Sequence, residues 1–403
     1  MVTNNSINSL NLQGVIQPQS GAYDADELVK YLTPIHSKNV NVDFAIKTFT
    51  HSVTAVDGAY RGGVYDQTNQ RIYFCPNDQG PETHWHYYDC VSGEIVAYAH
   101  GVTAVADAYV GGVYDPELDR IYFCPNAQGP ETNWHYVDCA NNGAIVAYAH
   151  GATVLDFGYR GGVYSPTQGF IYLVPYKMCP QAEWHYIRCS DGVVVAYTHG
   201  LTVENNGYSK GCYSPTQDRI YFCPSYASNA SVYHYVDCSD GSIVAYSNTT
   251  TVVNNSAFKG MVYSPTNNRI YFIPSRDPTM SKWWYLDCDT DVLVGYTHGA
   301  TLVDYSYGSG VYEPTLNRIY FVPYNQYAQT YIHYIRCDTG AVVAYSPTGL
   351  TGKYVGGSYD PINNRVILIP SEAADVATWN YLQSYAQAEI APQVIAHAIF
   401  NKV

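Results

Sequence analysis

The sequence predicts an all-β protein: a seven-bladed β-propeller of four-stranded blades, closed by an N-terminal strand that completes the last blade. Three observations predict it. A GGVY-type motif recurs with its tyrosine at Tyr65, Tyr114, Tyr164, Tyr213, Tyr263, Tyr312 and Tyr359, with successive gaps of 49, 50, 49, 50, 49 and 47 residues. Each of the seven units then carries four short runs of strand character in one order, which in the first unit are VYDQ, RIYFCP, HWHYYDC and EIVAYAH. Finally, AIKTFTHSVTAVDGAYRGG upstream of the first motif matches AIVAYAHGVTAVADAYVGG of the next unit almost position for position, whereas the last unit loses the pattern after TWNYLQ. A fourth strand therefore sits at the N-terminus without its first three, and residues from about Phe44 to His51 are expected to fill the gap in the seventh blade. Closure also hides sheet edges that would otherwise template aggregation.

The elements follow in order. Residues 1–43 read as an Asn/Gln/Ser-rich arm with a short helix at DADELVKYLTPI, near whose start stand Asp24 and Asp26. Residues 44–385 form the propeller. Its runs are rich in Val, Ile, Tyr, Phe and Trp and are bounded by Gly, Pro, Asn or Asp, which are strand and turn signals. Between the first two runs of a blade stand DQTNQR, DPELDR, SPTQDR, SPTNNR, EPTLNR and DPINNR. Pro pre-sets φ early in a turn and Asn or Asp tolerates left-handed geometry, so these are tight hairpins. The linker before the third run varies between blades (NDQGPETH against SYASNASV), as loops on a fixed scaffold do. Residues 386–403 are an apolar tail, whose Ile390, Val394, Ile395, Ile399 and Phe400 read as a docking surface for a partner. The competing reading makes both ends a cover for the propeller's own base.

The phrase SPTNNRIYFIP (Ser264 to Pro274) resembles the P-x-x-N-R-I-Y-V phrase of YVTN-type surface propellers, within the wider group of kelch-like seven-bladed repeats. The resemblance implies a fold over residues 44–385 and no activity, because propellers host lectins, hydrolases, lyases and scaffolds alike.

Charge and cysteine usage limit the function. The formal charge is −14, from 34 acidic and 20 basic groups with no Lys/Arg-rich run, which argues against a phosphate-tracking nucleic-acid surface. No apolar stretch of membrane-spanning length occurs, and the first residues carry neither a basic nor an apolar leader region, so neither insertion nor export is expected. Of eleven cysteines, Cys90, Cys139, Cys189, Cys238, Cys288 and Cys337 share one repeat position, and Cys75, Cys124 and Cys223 another. No zinc-type spacing occurs, so they read as small buried hydrophobes in a chain folded under reducing conditions, and no metal or cofactor is expected.

Several repeated residues are of chemically useful types. His86, His135, His185, His234 and His333 recur in the third run, replaced by Trp284 and Asn380 in two blades; His100, His150, His199 and His298 recur after the fourth. A catalytic or metal role repeated round a ring is implausible, so both sets read as hydrogen-bonded structural imidazoles. Arg71, Arg120, Arg219, Arg269, Arg318 and Arg365 follow the hairpin, opposite Asp89, Asp138, Asp237 and Asp287. Phe170 takes the Arg position where Arg188 takes that of Asp, which favours a structural ion pair, although Arg318 opposite Arg336 breaks the rule.

The candidate ligand-binding set lies just before the innermost run: Tyr60, Tyr109, Tyr159, Tyr208, Phe258, Tyr307 and Tyr354, with Asp57, Asp156 and Asp304 three residues earlier. Aromatic rings beside carboxylates stack on sugars and bond their hydroxyls. The competing reading is an Asx-turn followed by a packing aromatic. Departures from the repeat are mild: Trp283-Trp284, Lys210, Met178 with Cys179, and YNQYAQTY from Tyr324. With no unlike pair concentrated in one blade, no catalytic residue is assigned.

A Tyr/Asn/Gly/Thr-rich chain with unpaired thiols and no export signal fits a protein that folds in a host cytoplasm and reaches the outside by assembly and lysis. The expectation is a non-enzymatic structural or attachment protein of a virus or phage particle, on capsid or tail. It would be held to other structural proteins by its terminal arms and would present loops to neighbours or host surface glycans, with no nucleic-acid or membrane partner. The alternatives are a glycan-binding adhesin at an extracellular surface, an intracellular interaction scaffold, and a carbohydrate-active enzyme.

Overall fold

The computed structural model describes residues 44–203, 205–225, 232–247, 257–276, 281–372 and 377–385. The expected N-terminal arm and its helix, and the docking residues Ile390, Val394, Ile395, Ile399 and Phe400, lie outside them. Two units divide the chain: 46–381, which carries the ring, and 1–45 with 382–403, of which only strand ends are described.

Seven four-stranded antiparallel sheets follow one another. The first blade is Tyr60–Asp66, Arg71–Pro76, His84–Asp89 and Ile95–Ala99, paired in that order. In the seventh, Tyr354–Asp360, Arg365–Pro370 and Thr378–Ser384 are completed by the N-terminal Phe44–Thr50, so the closure read from the sequence is present. His51 occupies the position that His100 has in the first blade: its ring lies 4.0 Å from that of Trp379, tilted by 48°, and its backbone N–H donates to the Ala377 carbonyl at 3.0 Å. The first strands of neighbouring blades abut round the ring and line its central channel.

Alternation explains why each blade folds in this register. In His84–Asp89, Trp85 and His86 point to opposite faces and both are buried, because each face packs on a neighbouring blade. Tight hairpins set the register: Asp66 Oδ1 accepts the N–H groups of Thr68 and Asn69, and the residue before the second strand's arginine, or before Phe170 in the third blade, is left-handed throughout, as at Asn268 (φ 50°) and Asn364 (φ 52°).

The repeated histidines are structural, as their recurrence implies. The Tyr109 hydroxyl bonds His135 Nδ1, and Tyr60, Tyr159, Tyr208 and Tyr307 bond His86, His185, His234 and His333 in the same way. Burial holds all five imidazoles at a pKa of about 4, so they are neutral acceptors at pH 7. In the fifth blade Phe258 replaces Tyr and Trp284 replaces His, so both polar groups vanish together; in the seventh, Asn380 Oδ1 accepts from Tyr354 at 2.5 Å. The second set stacks on the blade tryptophans, with His150 4.1 Å from Trp134 and His199 3.9 Å from Trp184. The N–H of Ala152 donates to His150 Nδ1, so Nε2 carries the proton and donates to the Glu131 carbonyl at 2.6 Å.

The arginines pack on tyrosine more than they pair with aspartate. Arg269 lies 4.2 Å from the Tyr285 centroid and 3.6 Å from Asp287, whereas Arg219 bonds Asp291 at 2.9 Å although Asp237 stands opposite it in register. Phe170 keeps the stack on Tyr186 at 4.3 Å. Arg188 and Arg336, where Asp is expected, turn instead to Asp191 and Asp338, both at 2.6 Å, which accounts for the exception.

All eleven cysteines are unpaired and ten are buried. The six in register each meet the hairpin of the preceding blade: Cys90 faces Asp360, Cys139 faces Asp66 and Cys189 faces Asp115, whereas Cys238, Cys288 and Cys337 face Ser165, Ser214 and Ser264. Burial raises all of these thiols, to about 11 beside serine and further beside a carboxylate, so they remain protonated and unreactive.

Candidate functional site

The seven aromatics proposed to stack on a ligand do not line an open surface. Tyr60, Tyr109, Tyr159, Tyr208, Phe258, Tyr307 and Tyr354 are the first residues of the inner strands, not loop residues, and none is more than 3% exposed. A ring whose hydroxyl is bonded inside its own blade and whose faces pack on Phe74 or Phe123 has no face left for a sugar. Asp57, Asp156 and Asp304 are exposed, each in a turn before a left-handed residue, and Asp304 Oδ1 accepts the Tyr305 N–H at 3.1 Å. The structure therefore separates the carboxylates from the rings.

One residue further along each inner strand, the chain stops repeating. That position holds Arg61, Val110, Arg160, Ser209, Lys259, Gly308 and Val355, and the side chains converge on the mouth of the channel. The next position is glycine in five blades, with φ of +147°, +149°, +130° and +155° at Gly62, Gly111, Gly161 and Gly260, a region that side-chain-bearing residues avoid. These glycines sit in β-bulges. In the fourth, sixth and seventh blades the register shift ends one residue earlier, which puts Lys210 opposite Cys223, Ser309 opposite Val322 and Gly356 opposite Ile369. The Lys210 stem runs along Gly161 and Gly260, and its Nζ reaches Ser309 Oγ at 3.2 Å, joining positions 99 residues apart.

Arg61, Arg160, Lys210 and Lys259 thus share one cavity of about 240 Å³, with Ser275, Tyr305 and Tyr324 also in its wall and no carboxylate among its lining residues. None of the four cations is in an ion pair among the described residues. Arg61 Nε donates to Asn77 Oδ1 at 3.1 Å, and Arg160 stacks on Tyr176 at 4.3 Å with its Nε unbonded. Buried Ser275 Oγ also lacks a partner. Burial first, and then repulsion from Arg160, Arg61, Lys210 and Arg276, brings Lys259 down to about 8; burial lowers Lys210 and Arg160 as well. The acids around the mouth lie outside the wall: Glu372 bonds Lys353 and Tyr324, Asp78 accepts the Asp107 N–H at 3.2 Å, and both reach Arg61 through the electrostatic field without forming an ion pair with it. Tyr305 is a left-handed aromatic (φ 55°) whose ring takes Arg276 at 5.3 Å and Lys259 at 5.9 Å, and Phe157 (φ 56°) likewise takes Lys177 at 4.5 Å.

In a chain of net charge −14, four converging unpaired cations form a site of fixed positive potential. The mild departures in the sequence, Lys210 and Tyr324, belong to it. Arg61, Arg160 and Lys259 were not singled out from the sequence, although one column of the repeat alignment, mixing basic with Val, Ser and Gly, carries the signal.

Asp66, Asp119 and Cys139 form a separate group with metal-like spacing. Its oxygens are already engaged: Asp66 by Thr68 and Asn69, and Asp119 by Thr68 Oγ1 at 2.8 Å and Tyr114 at 2.7 Å, so the group is a hairpin clasp. No helix among the described residues is long and apolar enough to cross a membrane.

No protein-family model matches the chain, and no curated protein matches it in sequence. Solved structures do match. The chain is similar to the extracellular domain of the putative hybrid two-component system BT4673 from B. thetaiotaomicron (TM-score 0.57, 10% identity), with 85% of this chain aligned to 40% of that one. It is similar to U3-55K (TM-score 0.57, 6% identity; 84% of this chain, 98% of that chain). A putative 6-phosphogluconolactonase from Bacteroides uniformis also aligns (TM-score 0.53, 10% identity; 82% and 90%). At these identities the likeness shows the fold alone, and by fold the chain is a seven-bladed β-propeller.

Proposed function

We propose that the chain is a non-enzymatic structural or attachment component of a virus or phage particle, a rigid ring that presents its loops for contact with protein or glycan. The observation that carries this reading is the way the reactive side chains are spent. The inter-blade thiols are protonated against the preceding hairpins, and the five third-strand imidazoles are neutral and bonded to tyrosine. Such a core is stable only if its thiols stay reduced during folding, which suits synthesis in a cytoplasm followed by assembly. The terminal segments are the proposed anchors, and the particle surface the proposed location. The extracellular domain among the structural neighbours is compatible with an outward-facing ring.

The test compares the full chain with versions lacking residues 1–40 or 386–403, by light scattering, electron microscopy and mass spectrometry of purified particles. The full chain is expected to assemble or to bind particles, and the shortened chains to remain folded monomeric rings. A full chain found only as a free monomer and never in a particle contradicts the proposal.

A further inference from the structure

We infer that the channel mouth is a binding site for a multiply charged oxyanion, the phosphate or carboxylate groups of a small ligand, gripped by Arg61, Arg160, Lys210 and Lys259. Four features carry the inference. The cations converge from four different blades, so no single local turn explains them. They have no counter-charge in the cavity, and leaving cations unpaired and partly buried is costly unless a ligand supplies the charge. A buried hydroxyl, Ser275 Oγ, and the Arg160 Nε are unbonded donors at the same place. Finally, the cavity of about 240 Å³ equals the share of about eight waters, room for a phosphate, a tricarboxylate or an acidic sugar and too small for a folded partner. Two guanidinium groups supply planar forks for oxyanions and two ammonium groups supply point charges.

The repeat itself provides variants that should fold. Val110 and Val355 occupy the positions equivalent to Arg61, Arg160 and Lys259, and glycine occupies that of Lys210 in five blades. The experiment is calorimetric titration of the full chain at low ionic strength with inorganic phosphate, pyrophosphate, citrate and, as a neutral control, glucose. It is repeated for R61V, K259V and K210G, each checked for folding by thermal melting.

Phosphate, pyrophosphate or citrate should bind while glucose does not, and each variant should weaken binding tenfold or more while melting no lower than the parent. Phosphates over citrate would identify phosphoryl groups as the ligand, and the reverse order carboxylates. Lys259 faces Arg61, Arg160, Lys210, Arg276, the Tyr305 ring and Cys223, so its proton is the one the anion should recruit. Affinity is therefore expected to fall as pH rises through about 8, a dependence that K259V abolishes. Absence of binding by all three anions, or unchanged affinity in folded R61V and K259V, overturns the inference without bearing on whether the ring belongs to a particle.

Discussion

Lowering the pH from 7 to 5 should unfold the ring, because five buried imidazoles must take up protons that the folded state refuses. Burial holds His86, His135, His185, His234 and His333 at about 4 in the folded state, below the ordinary imidazole value of 6.5. A depressed histidine means that the unfolded chain binds more protons, so stability is intact above 6.5 and is lost as pH falls towards 4. At pH 5 an unfolded histidine carries about 0.97 proton and the folded one about 0.1, and integration from pH 7 gives about 2 kcal/mol for each site. Five sites sum to roughly 9 kcal/mol, comparable with the whole stability of a typical domain at ~5–15 kcal/mol. The assay is urea unfolding at pH 7, 6, 5.5 and 5, with the slope of stability against pH read as protons taken up. The account expects about four protons per molecule near pH 5, and about one fewer in H135N, which copies the amide acceptor that Asn380 provides to Tyr354. A slope below one proton, or an unchanged slope in H135N, refutes the reasoning.

Other outcomes follow from the same contacts. Tyr109→Phe should cost about 1–3 kcal/mol by leaving His135 Nδ1 unsatisfied, whereas the double change with His135→Trp, which recreates Phe258 and Trp284, should recover part of that loss in a double-mutant cycle. Cys90, Cys139 and Cys189 should resist alkylation at pH 8 until the protein is unfolded, because burial and the neighbouring carboxylates keep their thiols protonated; mass spectrometry of native and denatured samples reads this directly. Lys259, with a pKa of about 8, should be acylated at pH 8 ahead of exposed lysines such as Lys282, and added phosphate should slow the reaction.

The ring was legible in the sequence because its determinants recur: seven copies of one turn and one aromatic, with a tryptophan in five of the blades, at fixed spacing leave no other fold. Closure was legible because Phe44–Thr50 repeats the wording of an outer strand that lacks a blade. The site was hidden by the same regularity. What is common to all blades, such as the aromatic at Tyr109 and Tyr159, is conspicuous in the sequence, yet a residue type present seven times is the one each blade needs for its own packing. The covariation of Phe258 with Trp284 stood in the sequence and pairs Tyr with His without coordinates. Convergence of Arg61, Arg160, Lys210 and Lys259 did not, because it depends on ring geometry and on where each β-bulge ends.

The central claim is a division of labour, in which repeated residues hold the ring and unlike residues at the channel mouth serve a ligand at some expense in stability. Thermal unfolding of Y109F beside R61V/K259V, in buffer without multivalent anions at pH 7, tests it most directly. Lowering Lys259 from 10.5 to about 8 corresponds to about 3 kcal/mol of penalty for keeping it charged. The account predicts opposite signs: Y109F melts below the parent and R61V/K259V above it. If the channel variant melts lower, its cations are structural members of the ring and the claim is contradicted.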